Sequence, residues 1–542
     1  MTTGPGFQQQ YPAQSPPWQQ GQQAQEPYQA QWPQAQGQQQ YQAPWQQGQQ
    51  GQQGQWQEGQ QAQWQQPPPP PPPPPSPRRR TGLWVALGVL SLVLVIGVGA
   101  GVGLVLRGGS SAGALDPAPT GAAEKGQNGQ GSDPAAVVVT DQEIDALLKS
   151  HGDALTAGDA KAFTSIFDPG NAALVRGQAR LFANLRKMPL SEMSYQTLRR
   201  NGRAEDSFGR GVTFTQDVAF VHRFTRIDLK PVSEWYRWTI KKASADAPLV
   251  VTKVGGAPPP ITGGEGSKTV YYPGPWDIWP GVAVVEAGPS LVLARPEDAG
   301  LARRIAPTVA QATADDLDYW RRNGPPDATV PSGFVVALAK GQAQLGNLFR
   351  KEKAHEAGVS IPMLSWRPGD DVKIGGSRIV LDTTSPFFSD TAGIKEVSQH
   401  EIAHSLVASL DSAEMSLFGK PNWIVEGFAD YVATRHQSVA QVRRYPDGRA
   451  YVAGRMARPF DGRLPDNVFW DYKNMVNTNY FMGNLAMRFI ATKFGERKLA
   501  EGVVAAYRAQ GDESEAALFE VLGVSKAEFE RQWAAYVRRQ LA

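Results

Sequence analysis

The sequence predicts a multidomain chain: a disordered N-terminal tail, one transmembrane helix, a small α+β domain and a larger α+β domain at the C-terminus. Three observations carry that reading. Residues 1–77 are mostly Gln, Pro, Gly and Ala, and Leu83 to Leu106 contains no charged residue. From Thr140 onward, apolar residues recur first at helical and then at strand spacing.

The tail, 1–77, ends in nine consecutive prolines, Pro67 to Pro75, and Glu26 and Glu58 are its only charged residues. With almost no aliphatic side chains, it cannot bury enough apolar surface to offset the entropy of ordering. Trp18, Trp32, Trp45, Trp56 and Trp64 punctuate it, a pattern that suits weak self-association or partner binding. A solvated tail without a dedicated partner is the plainer alternative. The 24 residues of Leu83–Leu106 exceed the roughly 20 that a helix needs to cross a bilayer core. Residues 78–107 are therefore expected to form a membrane helix with a basic flank. A cleaved signal peptide is the competing reading, but the leading segment is far too long for one. Arg78, Arg79 and Arg80 precede the span and Arg107 closely follows it. That asymmetry predicts a single-pass protein of the cell membrane, with the N-terminus cytoplasmic and everything beyond 107 extracellular.

A net charge of +3 is too small to argue for a nucleic-acid partner. The chain has no cysteine, so an outer part of this size must be held by its core, or by a metal bound through nitrogen and oxygen.

Residues 108–137 read as a flexible spacer of Gly, Ala, Ser, Pro and Asp. The small domain is placed at 138–254. Thr140 and Glu143 have capping-box spacing, with Ile144, Leu147, Leu148 and Leu155 following at helical intervals. A short helix around Ala162 to Phe167 stops at Asp168-Pro169-Gly170, and strands are expected at Val212–Phe220, Trp235–Lys241 and Leu249–Val254. Helices followed by curved strands resemble the cone of nuclear-transport-factor-2-like domains; with no convergent polar set in the sequence, a spacer or binding module is the default reading. "GGAPPPITGGEGS" marks a second linker, 255–270, and 271–542 reads as one domain. In it, Leu301–Trp320 is expected to be a helix. "SRIVL" is expected to be a strand, with "SRIVLD" offering a sheet edge to an extended substrate.

The most informative stretch is "QHEIAHSL" at 399–406. Ile394, Val397, Ala403, Leu406, Val407 and Leu410 mark a buried helix face. Four residues make about 400° of helix, so His400 and His404 project from one side, one turn apart. Two neutral imidazoles at that spacing can share one zinc ion. Glu401, about 100° round from His400, is left to take a proton from the attacking water. The bland alternative is a pair of buried structural histidines. Zinc needs a third protein ligand, and "PNWIVEGFADYVA" at 421–433 offers Glu426. Asp430, one turn later, can accept the second N–H of a ligating histidine. The bland reading of these acids is a solvated helix face, but Trp423, Phe428 and Tyr431 surround them in sequence, where an unpaired carboxylate is costly.

The pair "HEIAH" and "WIVEGFADY" resembles the gluzincin metallopeptidases, the group with thermolysin-like and M1-aminopeptidase-like catalytic domains. The resemblance covers about residues 271–542. It implies zinc held by His400, His404 and Glu426, with Glu401 as general base and Asp430 supporting a histidine. No histidine follows His436 and no Gly-x-Met-Glu-Asn run is present, so a late transition-state histidine and an exopeptidase anchor are both missing. "NTNYFMGNLAMRFIATKFG" at 477–495 resembles the helix after the site in related gluzincins. That likeness nominates Tyr480 as oxyanion donor, with Tyr472 and Tyr451 as rivals. Two functions are therefore expected to compete: a membrane-anchored zinc endopeptidase acting on peptide or protein substrates, and an inactive peptidase-like module that binds or scaffolds.

Overall fold

The computed structural model describes residues 136–199, 204–258, 271–349, 356–365, 373–411, 420–511 and 513–542. The tail at 1–77, the predicted membrane span at 83–106 and most of the spacer lie outside the described residues.

After a two-residue strand, β1 (Val137–Val138), the chain enters helix α1 (Asp141–Ala157). The predicted capping box is present: Glu143 N donates to Thr140 Oγ1 and Thr140 N donates to Glu143 Oε2. Helices α2 (Ala160–Thr164) and α3 (Ala172–Leu185) follow. Then come β2 (Leu190–Arg199), the two-residue β3 (Glu205–Asp206), β4 (Val212–Phe224), β5 (Val232–Lys242) and β6 (Val250–Gly256). The four long strands form an antiparallel sheet in the order β2-β4-β5-β6. Helices before curved strands is the predicted order, with β2 an element that the sequence pattern did not reveal.

The second half begins with a short helix, α4 (Pro275–Ile278), and a hairpin of β7 (Ala283–Ala287) and β8 (Ser290–Ala294) turning at Gly288 with φ 56°. The long helix α5 (Ala299–Asn323) leads to β9 (Phe334–Ala339), α6 (Gln342–Asn347), β10 (Gly358–Leu364) and β11 (Ile374–Asp382). These strands make a five-stranded mixed sheet, β10-β11-β9-β8-β7, in which β8, β9 and β11 run parallel. "SRIVLD" is therefore not a sheet edge: β11 lies between β10 and β9, and the edge strands are β10, beside β11, and β7.

Side chains alternate across this sheet. Val292, Val336, Leu338, Ile379 and Leu381 share a core with the helices. Leu291, Leu293, Val335, Ala337 and Val380 face the other way, as a two-residue period requires. Burial on both faces explains why these strands read as nearly unbroken apolar runs.

What covers the second face corrects the predicted fold class. The expectation was separate α+β domains behind a membrane helix. Instead the described residues belong to one compact unit of mixed α/β content, and no helix among them is long and apolar enough to cross a membrane. The physical reason lies in the sheet's outer face. Leu291, Leu293, Val335 and Val380 share one core with Phe224, Trp235 and Trp276, so residues 136–258 cover apolar surface that would otherwise meet water. Arg378 of β11 is fully buried and pairs with Asp228 through Nη1 at 2.7 Å and Nη2 at 3.0 Å. Leu229 N and Lys230 N both donate to Gly375 O. The expected spacer module is part of the scaffold.

On the helical side run α7 (Thr391–Ala408), α8 (Asn422–Thr434), α9 (Tyr445–Val452) and α10 (Val476–Phe494), then α11 (Glu496–Arg508), α12 (Glu513–Leu522) and α13 (Lys526–Leu541). Asp390 caps α7 by accepting from Gly393 N at 2.7 Å. Helices α8 and α10 cross at Gly427 and Gly483. A Cβ on Gly427 would lie 2.7 Å from the backbone of Gly483, so only glycine permits this approach. That crossing brings Glu426 and Tyr480 into one neighbourhood.

Candidate metal centre

Helix α7 presents His400 and His404 with their rings 4.8 Å apart and steeply inclined. Their Nε2 atoms are 3.2 Å from each other. Glu426 Oε2, from α8, lies 3.4 Å from His400 Nε2 and 3.3 Å from His404 Nε2. A tetrahedral zinc with bonds of about 2.0–2.1 Å to its ligands has ligand–ligand edges of about 3.3–3.4 Å. The three donor atoms already form one face of that tetrahedron. Glu426 Oε2 is buried and makes no hydrogen bond of acceptable geometry within the protein. A lone pair aimed at two imidazole nitrogens, themselves lone-pair donors when neutral, fits a cation at the centre of the triangle.

The electrostatics agree. Burial would push the Glu426 carboxyl up, but the facing imidazoles His404 and His400 hold it well below the usual carboxylate range. Burial would lower His404, yet the Glu426 and Glu401 carboxylates raise it. Glu401, 6% exposed, is raised chiefly by burial, with the neighbouring histidines pulling the other way. A carboxyl displaced upward is better suited to hold a proton between two steps than an ordinary surface glutamate.

A cavity of about 50 Å³ opens beside the triangle, lined by His400, Glu401, Asp430, Tyr480, Glu396 and Arg444, among others. Asp430 Oδ1 is 4.0 Å from His400 Nδ1, beyond hydrogen-bond length. The predicted support of the histidine is thus adjacent but not made. Tyr480 is 2% exposed, and its ring centre lies 6.0 Å from that of His400. Neither rival tyrosine lines this cavity: Tyr472 is 38% exposed, and Tyr451 packs against Phe460.

The sequence pattern did not reveal three neighbours of the site. Gly358, first residue of the edge strand, lies so close to Glu401 that a Cβ there would be 2.8 Å from Glu401 Cγ. Glu396 precedes His400 by one helical turn, a spacing that could have flagged it. Arg444 donates to Asp430 Oδ1 at 2.5 Å, and it lies on a different element from any motif.

No family model matches this chain, and comparison with curated proteins gives no match.

Proposed function

We propose that this chain binds one zinc ion through His400, His404 and Glu426 and hydrolyses peptide bonds as an endopeptidase of the gluzincin type. The observation that carries the reading is the near-equilateral triangle of 3.2–3.4 Å formed by three donor atoms from two helices. Zinc there would act as a Lewis acid toward the scissile carbonyl and bring a water pKa down to about 7.

The remaining work falls to the chain's own groups. Glu401 accepts a proton from the attacking water and delivers it to the leaving nitrogen. Tyr480 offers its hydroxyl to the oxyanion as charge develops on the carbonyl oxygen. The edge strand β10 reaches the cavity at Gly358. There an extended substrate can align by main-chain pairing.

The non-catalytic alternative is a binding or scaffolding module that holds the metal without turnover. The test is the metal content of the purified full-length protein, followed by incubation with an unstructured protein substrate with and without chelator. One zinc per chain and chelator-sensitive cleavage are expected. Bound zinc without cleavage would leave the scaffold reading standing.

A further inference from the structure

Arg444 joins two parts of the centre that the chain builds on different helices. It stands just before α9, and its Nη1 donates to Asp430 Oδ1 of α8 at 2.5 Å. Its guanidinium carbon lies 4.6 Å from the centre of the Tyr480 ring on α10. Asp430 Oδ1 lies 4.0 Å from His400 Nδ1, the Tyr480 ring centre lies 6.0 Å from that of His400, and all four residues line one cavity.

We propose that Arg444 is the positioning residue of the centre: one guanidinium fixes both the Asp430 carboxylate and the Tyr480 phenol near His400. Metal affinity and the placing of the oxyanion donor are thereby coupled. The inference rests on the zinc-peptidase reading above.

The physical case begins with Asp430. It is 2% exposed, and an unpaired carboxylate at that depth is costly. His400 Nδ1, at 4.0 Å, is too far to satisfy it, so the charge is held by Arg444. Removing the arginine would leave Asp430 uncompensated and able to move against His400 or away from it. The second half of the case is shape. A planar guanidinium can donate in its plane to a carboxylate while its face rests on an aromatic ring; a lysine ammonium can serve the carboxylate but presents no face to the ring. The two functions of Arg444 can therefore be separated by one conservative substitution.

The test uses the full-length protein. Its zinc dissociation constant is measured by competition with a chromophoric chelator, and kcat and KM are measured on an unstructured protein. Arg444→Met should weaken zinc binding about 10–100-fold, the usual effect of losing an outer partner of a metal ligand. Arg444→Lys should leave zinc affinity within roughly threefold, because the charge beside Asp430 persists. It should nevertheless lower kcat with KM little changed. Combining it with Tyr480→Phe should cost no more than Tyr480→Phe alone, since both remove the same placed hydroxyl. Zinc affinity of wild-type strength in Arg444→Met overturns the first half. An unchanged kcat in Tyr480→Phe, or losses that multiply as independent effects, overturns the second. Should Arg444→Met fail to fold, the lysine variant and the double mutant still decide the coupling. A wild-type chain that binds no zinc overturns the peptidase reading itself, and this proposal with it.

Discussion

Two clusters of buried charge lie on opposite faces of the five-stranded sheet, and they are balanced in different ways. At the junction with residues 136–258, Arg378 meets Asp228 through two hydrogen bonds, and its second terminal nitrogen is 3.3 Å from His222 Nε2. The further acids there, Glu234 and Asp277, are both pushed up, first of all by burial. In the cleft, Glu426 is also buried, yet it is held low by two imidazoles. The junction answers burial with a built-in cation and with acids whose pKa values are pushed up. The cleft instead turns three donor atoms of His400, His404 and Glu426 toward one point, an arrangement that the proposed zinc would satisfy all at once.

The largest effect should come from breaking the junction pair. Asp228→Ala leaves Arg378 buried without its partner, which typically costs about 3–5 kcal/mol. Replacing both residues by apolar ones of similar volume should recover most of that loss. Urea denaturation of the single and double variants measures both. A double variant as unstable as the single would show that the junction is not the closed unit described here.

In the cleft the contrasting result is loss of function with little loss of fold. Glu426→Ala should strip zinc from the chain, because two histidines alone leave a weak site; full metal occupancy in that variant would mean the third ligand lies elsewhere. Glu401→Gln should retain zinc and lose about 10²-fold or more in kcat, since an amide can hold water but cannot accept its proton. A smaller effect is expected from Gly358→Ala. The new methyl would stand 2.8 Å from both Glu401 Cγ and Leu381 Cδ2, so the base or the edge strand must shift. A displacement of that size should lower kcat by roughly 10-fold or more with metal content unchanged. Wild-type turnover would show that Glu401 tolerates the shift or does not act as the base.

How much of this was legible follows from how local each signal is. His400 and His404 are one helical turn apart, Glu426 and Asp430 likewise, and Thr140 and Glu143 form their capping box within one turn. Local spacing reveals such features. Arg444 meets Asp430 across 14 residues and an irregular connection, and no periodicity links them. That "SRIVLD" lies inside the sheet was not legible because sheet order is set by long-range pairing, which a strand's own residues do not show. The sharing of one core by the two halves was hidden for a related reason. The Gly/Pro-rich stretch after residue 254 looks like a boundary, while the apolar face that binds the halves together is spread over four strands.

The smallest predicted effect concerns Asp277 of the junction. Burial pushes Asp277 from its ordinary 3.8 up to about 7, although Tyr236 Oη donates to it at 2.9 Å and Gly274 N at 2.7 Å. Arg180 acts in the lowering direction, while Glu234 and Tyr272 lie within electrostatic reach. Between about pH 4 and 7 the folded chain therefore keeps a proton on Asp277 that the unfolded chain has released. Stability contributed by that proton is present below the unfolded value and is lost as pH rises through the folded one. Asp277→Asn carries no charge at any pH, so its stability should decline less over this window. The difference from wild type between pH 5 and pH 7.5 should be about 1 kcal/mol. Urea midpoints at the two pH values measure it. Parallel declines in both proteins would mean that Asp277 is ionised throughout, and that the junction, like the cleft, tolerates a buried negative charge.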